Sequence, residues 1–447
     1  MIPTASSSLR LSIGLFGGAI ATSLLTAFSA VSPAVVHADE SVSSGFEDNH
    51  KAVLDEAWQI VHREYVDDTF NQTDWLKARE RLLGQEYSSR ESAYSALRDE
   101  LRALEDPYTR FLDPQEYSEL TDQTAGEISG VGLQLKRDSE ARTIYITEVL
   151  PDSPAEQSGL QAGDRIVVVD GQSTERLSVS GVSRLLRGEE NSQVTITYSR
   201  NGGEPSTVIL TRARLELPTV GYQLQEIDGY RIGYIRLAEF NAHATEQMVE
   251  AIEDLSAQDA EAFVLDLRSN PGGLLSASIE ISRLWLQRGP IVNTLYRTGE
   301  PEKISANRTA LTELPMAVLV NDRSASSSEI LTGALQDNER AVVVGDTTYG
   351  KALVQSLYGL SDGSGLAVTI AHYYTPDGTD ISQRGITPDI EVPLSQQEQR
   401  ALFSDPDRLG SNEDEQFIRA VQSLESTIQT ERNNPQVPSQ LGRSPEE

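Results

Sequence analysis

Three times in its C-terminal half the chain runs a short apolar segment directly into a loop rich in glycine or serine. Phe263-Val264-Leu265 enters DLRSNPGG (Asp266 to Gly273), and Ala317-Val318-Leu319-Val320 enters NDRSASSSE (Asn321 to Glu329). Val342-Val343-Val344 enters GDTTYGKALVQS (Gly345 to Ser356). The second loop leads on to Ile330, Leu331, Ala334 and Leu335, a helical stripe. Strand-like and helix-like segments alternate in this way from Leu215 to about Pro393, which predicts an α/β layer structure there. With 447 residues against roughly 100 to 200 per domain, two or three domains are expected.

The preceding segments differ in character. Residues 46–125 read as helical, because Leu54, Ala57, Trp58, Val61 and Tyr65 recur at helical spacing, as do Ala93, Leu97, Leu101 and Leu104 before Asp106-Pro107. Such stripes serve an intramolecular core or a dimer interface, so a homo-oligomer stays open. From Gly126 to about Arg214 short β segments are punctuated by glycine and interrupted by one helix carrying Val179, Val182, Leu185 and Leu186. Beyond Ser395 a polar helix is predicted from Asp414 to about Thr430, and Glu431 to Glu447 has the composition of a disordered tail. At the other end, Arg10 precedes the apolar run Leu11 to Ala30, and Val36-His37-Ala38 forms an A-x-A-like site before Asp39-Glu40. Residues 1–38 are therefore expected to be a removed signal peptide, with an uncleaved anchor as the alternative. Nothing downstream is apolar for the roughly 18 residues a membrane span requires.

Composition excludes several function classes. Sixty-eight acidic against 37 basic residues give a net charge of −31, which repels phosphate backbones and makes nucleic acid an unsuitable partner. The absence of cysteine removes thiolate catalysis and cysteine-ligated zinc, and no H-E-x-x-H is present. What remains is hydroxyl chemistry. A serine in a turn between strand and helix sits where unpaired N–H groups and the helix dipole can hold an oxyanion. Ser324, Ser326, Ser327 and Ser328 all stand in such a turn, and all equally suit a helix N-cap. A nucleophilic serine needs a base. Of the five histidines, His37 lies in the expected signal peptide and His50 and His62 in or beside the helical stretch. His243 or His372 could complete a Ser-His-Asp hydrolase, but no G-x-S-x-G accompanies them. Lys351, flanked by Ala352, Leu353 and Val354, could serve if burial lowers its pKa, with Gln355 one helical turn on to hold the neutral amine.

Two strings, SGVGLQL (Ser129 to Leu135) and SPAEQSGLQAGD (Ser153 to Asp164), resemble a PDZ domain. In that family a glycine-containing loop offers backbone N–H groups to a peptide's terminal carboxylate, and Gly130, Val131, Gly132 and Leu133 match it. NDRSASSSE and GDTTYGKALVQ, with Lys351 twenty-five positions after Ser326, resemble the active site of the carboxyl-terminal processing peptidases, or tail-specific proteases, as do DLRSNPGG and the stretch Ser361 to Val392. The similarity runs from about His50 to Pro393. YVDDTFNQTDW and DPYTRFLDP are similar to the photosynthetic branch, which trims the C-terminal extension of a photosystem II reaction-centre precursor.

The resemblance implies an α+β multidomain chain: an N-terminal helical region over 46–125, a β-rich PDZ domain with helices over 126–214, an α/β ClpP/crotonase-like catalytic domain over 215–395, and a polar helix and tail over 396–447. It implies a serine endopeptidase cutting exported proteins near their C-termini, with Ser326 as nucleophile, Lys351 as base, Gln355 as its orienting partner, and the N–H groups of Gly272 and Ser327 as oxyanion hole. Arg187 is a candidate reporter of peptide occupancy. No cofactor and no metal are implied; the partners are protein or peptide substrates with free C-termini, in the periplasm or thylakoid lumen. Ser327, Ser269 and Ala352 stand where the family more often has alanine, asparagine and glycine. The rival reading is a non-catalytic secreted PDZ binding module.

Overall fold

The structure, a computed structural model, describes residues 50–138 and 143–433, so the expected signal peptide and most of the expected tail lie outside the described residues. The three apolar runs form adjacent strands of one six-stranded sheet. Its order is Val220–Ile227, Tyr230–Leu237, Ala262–Asp266, Met316–Val320, Val342–Gly345 and Ile390–Glu391, with every pairing after the first parallel. Ala262–Asp266 and Met316–Val320 are buried at every residue, as expected for central parallel strands covered on both faces. Helices Ala244–Ala257, Leu275–Trp285 and Ser327–Asp337 cover one face, through Met248, Ile281, Trp285 and Leu331 among others. Because the three strands are parallel neighbours, their three loops emerge side by side at the carboxyl ends, the usual position of a site in such a sheet.

The opposite face is covered from beyond the predicted boundary at 395. Helix Glu415–Asn433 buries Phe417, Ala420, Val421, Leu424 and Ile428 against Tyr234, Val264, Leu319 and Val344. The helix expected here is polar; its apolar stripe, diluted by charged neighbours, is instead an integral layer of the core. Its start is pinned by a fully buried network in which Arg268 bonds Asp266 and, bidentately, Asp414 at 2.9 and 2.6 Å, while Gln416 Oε1 accepts a further bond. Burial works to raise Asp266, but the charge and hydrogen bonds of Arg268 hold its carboxyl below the usual range.

The N-terminal stripes fold inward. Helices His50–Glu64, Trp75–Gly84 and Arg90–Arg102 form a cluster with Leu360, Leu366 and Val368, so these apolar faces are intramolecular core. Within the stretch read as helical lies a strand, Arg110–Leu112, which joins a second, antiparallel sheet by pairing with Gly365–Tyr374. Helix Pro114–Ala125 follows, starting on an Asp113/Glu116 capping box and ending at Gly126 in left-handed conformation.

The glycine-punctuated segment forms a sheet of order Leu133–Asp138, Thr143–Val149, Arg165–Val169, Gln193–Ser199 and Ser206–Thr211, with helix Val179–Leu186 against it. A two-stranded ribbon, Glu127–Gly130 with Ala213–Glu216, connects it to the rest of the chain. No helix among the described residues is long and apolar enough to cross a membrane.

Candidate active site

The four serines of NDRSASSSE separate by what their side chains do. Ser324 Oγ donates to Leu267 O at 2.8 Å, Ser328 Oγ to Asn270 O at 3.0 Å and Ser327 Oγ to Gly273 O at 3.0 Å. These three bind the helix start to the neighbouring DLRSNPGG loop. Ser326 lines a cleft of about 750 Å³ together with Lys351, Gln355, Ser327, Gly273 and Tyr373. Its backbone has φ +54°, a region that costs an L-residue about a kcal/mol or more and that persists only when its surroundings impose it. Helix Ser327–Asp337 begins at the next residue, so Ser326 stands at the positive end of a helix dipole as the sequence suggested.

Two side chains impose that geometry. Glu329, fully buried, accepts four hydrogen bonds: from Thr348 Oγ1 at 2.6 Å, Gly350 N at 2.7 Å, Ser326 N at 2.8 Å and Lys351 N at 2.9 Å. Burial pushes its carboxyl above the ordinary range, and the four donors oppose that shift. On the other side Tyr373, buried and held strongly neutral, is hydrogen-bonded to the carbonyl oxygens of Ser326 and Lys351. The main chains of the two residues are thus clamped to each other from two directions, although they belong to different loops. In the sequence Glu329 is only the last residue of the NDRSASSSE string, and Tyr373 has no signal beyond its adjacency to His372.

Lys351 is partly buried. Burial lowers its pKa, and the positive charge of Arg110 lowers it further against the raising effects of Asp106 and Glu329. Its Nζ lies 4.5 Å from the centroid of the Tyr108 ring. Gln355 is not one helical turn away: Leu353–Gly359 is a strand, because its alternating side chains pair along Gly365–Tyr374 instead of closing a helical turn. Gln355 still shares the cleft with Lys351, while its Nε2 is directed to Thr369 Oγ1 at 3.5 Å.

Gly272 packs against Ser326 so closely that an added Cβ would lie 2.9 Å from Ser326 Cβ and 2.7 Å from Ala325 O, and its φ is +102°. Its N–H, expected in the oxyanion hole, donates here to Asn270 Oδ1 at 2.8 Å. Ser327 N belongs to the first turn of the helix, where amides lack intrahelical acceptors. His372 lies on strand Gly365–Tyr374 and lines a second cavity with Lys351, whereas His243 stands just before helix Ala244–Ala257, its ring between Glu127 and Glu216 at 3.5 and 3.4 Å. Neither lines the cleft that holds Ser326.

The sequence pattern of peptidase family S41 matches residues 231–392, which span all three loops, and that of the PDZ domain matches residues 145–200. A carboxyl-terminal-processing protease of Synechocystis sp. is 43% identical over 82% of this chain and 87% of its own. The chain belongs to the carboxyl-terminal-processing proteases of family S41. Carboxyl-terminal-processing peptidase 2, chloroplastic, of Arabidopsis thaliana is 40% identical over 81% of this chain and 72% of its own. Among solved structures, a photosystem II D1 C-terminal processing protease superposes with a TM-score of 0.52 at 36% identity, covering 82% of this chain and 98% of that one. The chain is therefore a serine peptidase, and the binding-module reading has no support.

The PDZ groove is an apolar-walled cavity of about 310 Å³ lined by Gly130, Val131, Gly132, Leu133, Leu186 and Arg187 among others. Leu133–Asp138 is the edge strand of its sheet, the arrangement that strand addition by an extended peptide requires. Gly132 has φ +82°, and a Cβ there would lie 2.2 Å from Ser153 Cβ. Only glycine fits this turn.

Proposed function

We propose that Ser326 attacks the scissile carbonyl, that neutral Lys351 takes its proton and returns it to the leaving amine, and that water resolves the acyl-enzyme. The observation that carries this reading is the double clamp of Glu329 and Tyr373 on the main chains of Ser326 and Lys351, beside a cleft that holds both side chains. Ser327 N–H and, once freed from Asn270, Gly272 N–H form the oxyanion hole; Gln355 supports the neutral amine after turning from Thr369. The loop Gly130, Val131, Gly132 and Leu133 reads the substrate's free C-terminus, and Arg187, which lines that groove, senses its occupancy.

The substrates are exported proteins in the periplasm or thylakoid lumen, and the similarity to a photosystem II D1 C-terminal processing protease favours a D1-type precursor. The test is cleavage of an unfolded reporter with a free apolar C-terminus beside an amidated copy, using wild type, Ser326→Ala and Lys351→Ala. Cleavage by wild type alone, weakened by amidation, is expected. Full activity in either variant would overturn the dyad.

A further inference from the structure

A second cavity, of about 760 Å³, lies on the other side of Lys351 from the cleft that holds Ser326. The two share Pro107, Tyr108, Lys351 and Leu353 as wall residues. Tyr108 is held at this wall by its own segment. Its N–H donates to Asp106 Oδ1 at 2.9 Å, the next residue's hydroxyl donates to Asp106 Oδ2 at 2.6 Å, and that hydroxyl accepts from Thr369 N at 3.0 Å. Arg110 then enters the second sheet opposite Ala367. Burial, with Tyr349 two residues before Lys351 contributing, holds the Tyr108 phenol neutral up to about 12.

We propose that Tyr108 is a positioning residue for Lys351: its ring face holds the lysine as an ammonium at the wall between the two cavities, and the lysine must leave that face to act as a base. The proposal rests on the dyad reading above. An aromatic face attracts a cation and has no comparable attraction for a neutral amine, so the contact favours the charged form. Burial of Lys351 favours the neutral form, and the charged groups around it divide: Arg110 on one side, Asp106 and Glu329 on the other. His372 and Asp67 line the second cavity with it. The ring therefore sets how far burial alone can lower the pH at which the base becomes available. The direction of the Gln355 amide toward Thr369 agrees with a lysine parked away from it.

The experiment is the pH dependence of kcat/KM on one peptide substrate for wild type, Tyr108→Leu and Tyr108→Phe, with Ser326→Ala and Lys351→Ala beside them. Leucine keeps an apolar wall and removes the π face; phenylalanine keeps the face and removes only the hydroxyl. The expected result for Tyr108→Leu is an acid limb about one pH unit lower, which is about tenfold more relative activity below the limb. Tyr108→Phe is expected to keep the wild-type limb. Tyr108 is half-buried, so neither change empties the core. Inactive Ser326→Ala and Lys351→Ala with an unmoved limb in Tyr108→Leu, or with limbs moved equally in both Tyr108 variants, would overturn the proposal alone. Activity in the dyad variants would remove the reading on which it rests.

Discussion

Glu329→Gln is the substitution that tests the clamp most directly, because it preserves shape and changes one oxygen to an NH2. The wild-type carboxylate has two donors on each oxygen: Thr348 Oγ1 and Gly350 N on one, Ser326 N and Lys351 N on the other. A glutamine must turn its NH2 toward one pair. The less costly choice is the Thr348 side, since that hydroxyl can rotate and accept, which leaves Gly350 N–H buried without a partner. One charge-assisted bond is lost, one amide is unsatisfied, and the surviving bonds become neutral; about 2–4 kcal/mol of stability follows. Part of this falls on the alignment of Ser326 with Lys351, where each 1.4 kcal/mol is about tenfold in rate, so kcat is expected to drop on the order of 100-fold with KM little changed. A second signature has the opposite sense. The Glu329 charge raises the Lys351 pKa, so its removal lowers that pKa, and the acid limb moves to lower pH even as the plateau falls. Urea denaturation and a pH profile of peptide cleavage measure both. Unchanged stability with an unchanged plateau would refute the clamp.

Three further outcomes are expected. Ser327→Ala loses only the bond to Gly273 O and keeps its backbone N–H, so activity stays within about tenfold of wild type in a steady-state peptide assay. Asp414→Ala strips Arg268 of a buried bidentate partner and leaves Gly410 N and Phe417 N unpaired, which destabilises the fold by about 3–5 kcal/mol in a chemical denaturation curve. Gly132→Ala forces a Cβ onto Ser153 in the groove loop, so KM for a substrate with a free C-terminus rises about tenfold while that for its amidated copy is nearly unaffected.

The pH dependence of wild type follows from one sign. Lys351 must be neutral to act, and its pKa is depressed mainly by burial, so activity rises with pH along a limb that lies below the ordinary lysine value of about 10.4. A flat profile from acid to alkaline would contradict a lysine base.

By itself the sequence determined the long helices, the central buried strands and which residue types carry the chemistry. The apolar runs at 263–265, 317–320 and 342–344 are local signals of buried strands, and the loops after them hold Ser326 and Lys351 whatever the packing. The amphipathic helices of residues 50–102 were legible for the same reason. Only the tertiary structure decided which loops meet. That Glu329 and Tyr373 both grip Ser326 and Lys351 depends on the order of parallel strands and on strand Gly365–Tyr374 of the second sheet bringing Tyr373 to them, neither of which has a local signature. Gln355 shows the limit most clearly: its distance from Lys351 along the chain suited a helical turn, and pairing with a distant strand made it a β residue. The helix at Glu415–Asn433 likewise reads as polar until the sheet face that buries Phe417 and Leu424 is known. Local periodicity is written in neighbouring residues, whereas partners far apart in sequence are chosen by which surfaces the whole chain can bury at once.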